Sequence, residues 1–168
     1  AVAFFSVEMG KEDNATRLLS MVSGIDADHL RFKGTSASDR VRLEAARKEL
    51  ERLPITLEYC GSDTIEDIRA KAQSLNKHGK LDAMFIDYLN LINIVVSKNL
   101  LQETTDLALG NIARKAKLMA EEMEIPVILL AQLNREVDRR QGLHLPVLSD
   151  LRNSGAIEQV ADVVIFVY

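Results

Sequence analysis

The sequence predicts an α/β domain in which a mostly parallel sheet is flanked by helices. Two observations carry this. Short apolar runs rich in β-branched and aromatic residues alternate with longer amphipathic stretches, the pattern of successive βαβ units. Three of the short runs also end on, or run straight into, a polar residue: Glu8, Asp87 and Gln132. Parallel strands open onto a ligand crevice at their carboxyl ends, so polar side chains are expected there.

In chain order, a first strand is expected over Val2 to Glu8, and Met9-Gly10-Lys11 turns the chain into a helix from about Glu12 to Val22. Asp26 to Gly34 reads as an irregular connection. From Ser38 to Leu53, Val41, Leu43, Ala45, Ala46 and Leu50 lie among many charges, which predicts a solvated helix with a narrow buried stripe, ended by Pro54. Ile55 to Tyr59 is the second strand. Thr64 is placed to cap the next helix and Asp67 to complete a capping box; the helix runs to about His78, where Gly79 stops it. Ala83 to Asp87 is the third strand.

Over Leu100 to Met123, the residues Leu109, Ile112, Ala116, Met119 and Met123 recur at spacings of three and four, giving a helix with one apolar face. Pro126 precedes a fourth strand, Val127 to Ala131, and Asp162 to Tyr168 is expected as a last, fully apolar strand. Between these two lies Asn134 to Ile157, with Arg135, Arg139, Arg140, Arg152, Gly142, Pro146 and Gly155. Such a stretch is either a functional loop or a solvated connection with one short helix near Ser149.

Composition narrows the class. With 168 residues, 47% hydrophobic and 27% charged, the chain suits one globular domain rather than a disordered segment. Its longest apolar runs are too short to cross a bilayer. The single cysteine, Cys60, excludes an internal disulfide and any multi-cysteine zinc site, so a cytoplasmic location is the default expectation. Twenty-one basic against 25 acidic residues leave a net charge of −4, so nucleic-acid binding would have to be local, through a loop or backbone amides. The opening Ala-Val-Ala-Phe-Phe reads as the inside of a buried strand, not as a signal peptide, and suggests an excised fragment. His29, His78 and His144 have no ligand spacing.

The strand-end residues suggest chemistry. Tops of neighbouring strands lie roughly 5 to 10 Å apart, so Glu8, Asp87 and Gln132 are close enough to share one site. A carboxylate held rigidly after Ala83-Met84-Phe85-Ile86 is suited to orient Mg2+ on nucleotide phosphates, directly or through water; an Asp at this place also serves simply to cap a turn. Glu8 reads as a general base polarising an attacking water, or as a turn carboxylate. Gln132 reads as a γ-phosphate sensor, or as an amide satisfying loop backbone.

Four segments in order carry a resemblance: Phe5-Ser6-Val7-Glu8-Met9; Ile86-Asp87-Tyr88-Leu89-Asn90-Leu91; Ala131-Gln132-Leu133-Asn134-Arg135; and the run from Ser149 through Arg152-Asn153-Ser154-Gly155 to Asp162. Together they resemble successive motifs of the RecA-like motor domain of DnaB-type replicative helicases, over nearly the whole chain. The resemblance implies a RecA-like P-loop NTPase fold and a homo-hexameric, ATP- and Mg2+-dependent translocase on single-stranded DNA, working with primase and a helicase loader.

By the same resemblance Glu8 is the catalytic base and Asp87 the Mg2+-associated Walker B residue, while Gln132 couples nucleotide state to the DNA loops. Arg152, Asn153, Ser154 and Gly155 form the loop on the DNA backbone, and Arg135 contacts DNA or a neighbouring subunit. Family members often carry Glu where this chain has Asn153. No Gly-x-x-x-x-Gly-Lys-Ser/Thr occurs in the 168 residues. In the family that P-loop lies just upstream of the first strand here, so the fold is expected to be incomplete, lacking its first strand and P-loop, and the 168 residues to form one partial domain. A gap is expected in the sheet between Val127 to Ala131 and Asp162 to Tyr168, or a strand borrowed from another molecule. Two other readings remain: a recombinase- or clock-type RecA-like ATPase, and a non-catalytic interaction module of the same shape.

Overall fold

The computed structural model describes residues 1–92, 105–133, 145–151 and 155–168. Four parallel strands make one sheet: β1 (Val2–Ser6), β2 (Ile55–Tyr59), β3 (Ala83–Asp87) and β4 (Val127–Leu129), in the spatial order β2-β1-β3-β4. The helices are α1 (Lys11–Ser23), α2 (Ala37–Leu50), α3 (Ile65–His78), α4 (Thr105–Met123) and α5 (Gly155–Val160). Single helical turns at His29–Lys33, Leu89–Leu91 and Leu148–Asp150 complete the described elements.

Strand register explains where the core sits. Ala3 pairs with Met84 and Phe5 with Ile86, which puts these four on one face, and all four are fully buried. Onto them pack Ile65, Ile68 and Ala72 of α3 and Leu109, Ile112, Ala116 and Met119 of α4, so the apolar stripe expected on the long helix is the stripe that is buried. Each large apolar side chain buried in this way contributes about 1.5–3 kcal/mol. The opposite face carries the registered row Leu57, Phe4, Phe85 and Ile128. Phe4 and Phe85 stack at 6.3 Å between centroids but stay half-buried, and Ile128 is exposed. Among the described residues this second face is only partly covered, whereas parallel sheets usually bury both.

Local chemistry fixes the helix ends. Thr64 Oγ1 accepts from the Asp67 amide at 3.2 Å and Asp67 Oδ2 from the Thr64 amide at 2.9 Å, the reciprocal box expected from the sequence. Ser36 and Asp39 form a second box at the start of α2, which is not among the sequence expectations. On α2 the buried stripe is narrower than expected: Ala46 is buried and Leu43 and Leu50 half-buried, while Val41 and Ala45 face solvent. Leu43, Ala46 and Leu50 are the residues at true helical spacing.

Three further sequence expectations change. β1 ends at Ser6, not Glu8, because the Ser6 hydroxyl accepts the Met9 amide at 3.1 Å and bends the chain out of the ladder. β4 ends at Leu129, although Leu130 still bonds to the strand beside it. Asp162 to Tyr168 is not a strand: the segment takes no ladder partner among the described residues, and Val163, Ile165 and Val167 are 76%, 82% and 91% exposed. An apolar run becomes a buried strand only when neighbours satisfy its backbone. Here the chain instead leaves α5 along α4, where Lys117 pairs with Asp162. The described sheet stops at β4, and with no strand over 162–168 there is no strand pair for the expected gap to separate. The first residues of the expected Leu100 helix and most of the Asn134 to Ile157 loop lie outside the described residues.

Candidate nucleotide-site rim

The carboxyl ends of β1, β3 and β4 form one rim, and backbone hydrogen bonds set its geometry. Ser6 is in register with Asp87, and beyond the end of β1 the Val7 amide donates to the Asp87 carbonyl at 2.6 Å. Glu8 therefore follows immediately on a residue bonded to Asp87. On the other side of β3 the Leu130 amide donates to the Ile86 carbonyl at 3.0 Å, and the Leu89 amide to the Leu130 carbonyl at 2.9 Å. Asp87 is enclosed between these two bonds, and Gln132 lies two residues beyond Leu130. Glu8 and Gln132 are exposed and Asp87 is half-buried. The peptide bond between Asp87 and Tyr88 is cis.

The turn that carries Glu8 is held from both sides. Besides the Ser6 hydroxyl on the Met9 amide, Asn14 Nδ2 donates to the Met9 and Gly10 carbonyls at 3.1 and 3.2 Å. Sequence reasoning missed both residues. A Ser two residues before a strand-end Glu is a recognisable turn signal, but nothing local marks Asn14, which looks like an ordinary first-turn helix residue.

After Gln132, the backbone of Leu133 bridges antiparallel to Leu151, the residue before Arg152. The fourth sequence motif thus starts beside the third. Arg135, Arg152, Asn153 and Ser154 lie outside the described residues, and Gly155 opens α5. Asp150, buried and five residues before that helix, accepts the Val147 amide at 2.7 Å.

The donor set suits a magnesium ion held mainly through phosphate. Among the described residues no three His, Cys, Asp or Glu side chains cluster as a protein-only metal cage. Mg2+ typically takes one or two carboxylates and completes its shell with phosphate oxygens and water, which a single rigid Asp87 at the rim would serve.

Beneath the β1–β2 part of the rim, the Cys60 amide donates to the Ser6 carbonyl at 2.8 Å. Burial, reinforced by the neighbouring Asp63 carboxylate, pushes the Cys60 thiol up to about 12. Lys71, 3.7 Å from the sulfur and paired with Asp63, is raised by that carboxylate. A protonated buried thiol is a structural group, not a nucleophile. A shallow groove lined by Gly10, Lys11, Glu12, Asp13, Glu58 and Tyr59 lies beside β2, with Lys11 and Glu58 paired at 3.0 Å. It does not include Asp87 or Gln132.

Comparison with known proteins decides the family. The model of the DnaB-like helicase C terminal domain matches residues 1–168. The chain belongs to this family. It is 40% identical over 169 residues to the replicative DNA helicase DnaB of Rickettsia bellii (strain RML369-C), covering 100% of this chain and 33% of that protein. The replicative DNA helicase DnaB of Geobacillus stearothermophilus is 37% identical over 167 residues, covering 99% of this chain and 36% of the relative. The chain spans about a third of the length of these DnaB relatives.

Among solved structures, one described as an ATPase domain superposes with a TM-score of 0.86 at 31% identity, covering 96% of this chain and 57% of that one. A structure described as a DnaB-like replicative helicase and its interactions with primase gives a TM-score of 0.86 at 31% identity, over 96% of this chain and 38% of that one. The sheet and its helices therefore have the RecA-like fold of DnaB helicase ATPase domains. No helix among the described residues is long and apolar enough to cross a membrane.

Proposed function

We propose that this DnaB-like C-terminal domain forms part of the ATP-hydrolysing motor of a hexameric replicative helicase that translocates on single-stranded DNA and unwinds duplex. The observation that carries the reading is the rim itself: the Val7 to Asp87 bond on one side and the Leu130 bonds on the other bring Glu8, Asp87 and Gln132 to one edge of the sheet. Mg2+ bound with ATP supplies charge neutralisation on the β- and γ-phosphates. Asp87 orients that ion from a rigid strand end. Glu8 is the general base, its carboxylate taking the proton of the water that attacks the γ-phosphate. Gln132 senses the γ-phosphate and passes its loss to the loop beginning after Leu151, which the antiparallel bridge ties to Leu133.

Arg152, Asn153, Ser154 and Gly155 then hold the DNA backbone, with Arg135 on DNA or on a neighbouring subunit. A mildly acidic chain suits this arrangement, because one Arg and a few amides per subunit, repeated around a ring, bind phosphates without a basic surface. The relative solved with primase supports primase as a partner of the whole protein, and a helicase loader is expected beside it. The phosphate-cradling loop has no counterpart in the 168 residues, so they are expected to turn over no ATP alone.

The test is steady-state ATPase and fork unwinding by the full-length protein. Glu8→Gln and Asp87→Asn should each lower turnover by about a hundredfold or more while leaving the hexamer intact. Arg152→Ala should weaken single-stranded DNA binding and unwinding more than basal ATPase. ATP turnover without unwinding by the wild type would favour a recombinase- or clock-type ATPase. Absence of turnover with partner binding preserved would favour an interaction module.

A further inference from the structure

The rim depends on where the chain stands just after β1, and that position is fixed by groups outside the nucleotide chemistry. Three residues in a row, Val7, Glu8 and Met9, leave the strand. Val7 is tied through its amide to the Asp87 carbonyl at 2.6 Å. Met9 is tied through both its backbone polar groups, its amide to the Ser6 hydroxyl at 3.1 Å and its carbonyl to Asn14 Nδ2 at 3.1 Å. Glu8 sits between these anchors. Ser6 is buried at 1% exposure, so its hydroxyl is a rigid acceptor. Asn14 stands on the first turn of α1 and reaches back to two successive carbonyls, Met9 and Gly10.

The chemistry of that reach is specific. Both partners are carbonyl oxygens, which only accept, so the Asn14 amide nitrogen is the group that faces them. The bonds do nothing for the orphan amides at the start of α1: its N-cap, Gly10, has no side-chain cap, and Asn14 donates rather than accepts. Asn is also a poorer helix former than Ala at this place. Asn14 thus costs α1 something as a helix and serves the turn instead.

We infer that Asn14, acting with Ser6, is a positioning residue for Glu8, holding the backbone of the turn in register with Asp87. The inference rests on the reading of Glu8 as the general base. A carboxylate that must meet a water beside a phosphate loses effectiveness when its backbone is free to drift, since small misplacements of a catalytic group are costly.

The experiment uses the full-length protein and compares Asn14→Ala and Asn14→Asp with wild type and with Glu8→Gln. Ala removes the donor and favours the helix. Asp keeps the shape but turns a carboxylate toward two carbonyls. Both should lower kcat for ATP about tenfold with KM changed less than about twofold and the melting temperature within about 2 °C of wild type. Adding Asn14→Ala to Glu8→Gln should produce no further loss, because a misplaced base is already missing.

Wild-type kcat in both Asn14 variants, with Glu8→Gln slow, overturns the inference alone. A tenfold further loss in the Glu8→Gln background also overturns it, since Asn14 would then act elsewhere. A loss of kcat that tracks a fall in melting temperature reduces Asn14 to a stability residue and overturns it too. Glu8→Gln at wild-type rate overturns the base assignment, and this inference with it.

Discussion

The Val7 amide and the Asp87 carbonyl are joined at 2.6 Å one residue beyond the last ladder pair of β1. This bond makes the ends of two neighbouring strands into a single unit. Val7 is buried at 4% exposure although it lies outside the strand, so the bond is shielded from water. Hydrogen exchange should therefore show Val7 protected like the interior of β1, opening only with the sheet as a whole. An NMR exchange experiment on the 168-residue polypeptide reads this amide directly. Exchange at Val7 as fast as in an exposed loop would mean that Glu8 and Asp87 are not held at a common height.

Cys60 offers a probe on the other side of the rim. Its side chain is buried at 1% exposure, and burial first and Asp63 second hold the thiol up at about 12. A thiol-specific reagent at pH 8 should label native protein far more slowly than unfolded protein, with a rate that rises with urea as the global unfolding equilibrium does. The pH dependence has a definite sign. Between the ordinary thiol value of about 8.5 and the raised folded value, the unfolded chain holds fewer protons than the folded one, so stability falls as pH rises through that interval. Cys60→Ala should lose that part of the alkaline dependence. Rapid labelling of the native protein would contradict the buried position.

Much of this is legible in the sequence, for reasons that differ between elements. β3 and α3 have the ends that the sequence predicts because local chemistry fixes them: an apolar run closed by Asp87, and a Thr64 to Asp67 box before an amphipathic helix. α4 is legible by its period, since a single buried face dictates the spacing of Leu109, Ile112, Ala116 and Met119. The end of β1 falls two residues before the predicted one because the bend is made by a side chain, Ser6, that looks like a strand residue. Asp162 to Tyr168 departs from expectation for a different reason. Apolarity shows that a segment favours burial, but a strand also needs a partner, and partnering is a tertiary fact. Glu8, Asp87 and Gln132 stand out by strand order alone, whereas Asn14 acts across a turn and is invisible to any pattern of spacing.

The capping box of α3 should contribute measurably to stability. Thr64→Ala removes the acceptor of the Asp67 amide and should cost about 1 kcal/mol in urea unfolding, with the slope unchanged. Asp67 adds a pH signature. Its hydrogen bonds to the Thr64 hydroxyl and the Thr64 amide hold its carboxyl below the usual value. With the folded pKa lowered, the contribution is present above the ordinary aspartate value of about 3.9 and is lost as pH falls through the folded value. Asp67→Asn should thus lower the urea midpoint near neutral pH and converge on wild type in acid. A gap that stayed constant down to about pH 2 would show that the carboxylate charge plays no part.

The exposed apolar surface at the end of the sheet leads to the last expectation. β4 is paired to β3 on one side only among the described residues, Ile128 and Leu130 are 37% and 39% exposed, and Val163, Ile165 and Val167 extend nearly bare from α5. An open strand edge, like an exposed β-branched run without a ladder partner, is a template for pairing between molecules. The 168-residue polypeptide on its own should therefore associate as its concentration rises toward about 100 µM. Val163→Lys with Ile165→Lys should reduce that association, because charges on a would-be strand oppose edge-to-edge pairing. The same pair of substitutions should leave the folded core unaltered, since neither side chain contributes to it. Sedimentation velocity separates the outcomes. Association that persists in the double variant would move the contact from the 162–168 segment to the half-covered sheet face bearing Phe4, Phe85 and Ile128, and a wild-type polypeptide that stays monomeric throughout would show that neither surface is sticky enough to pair.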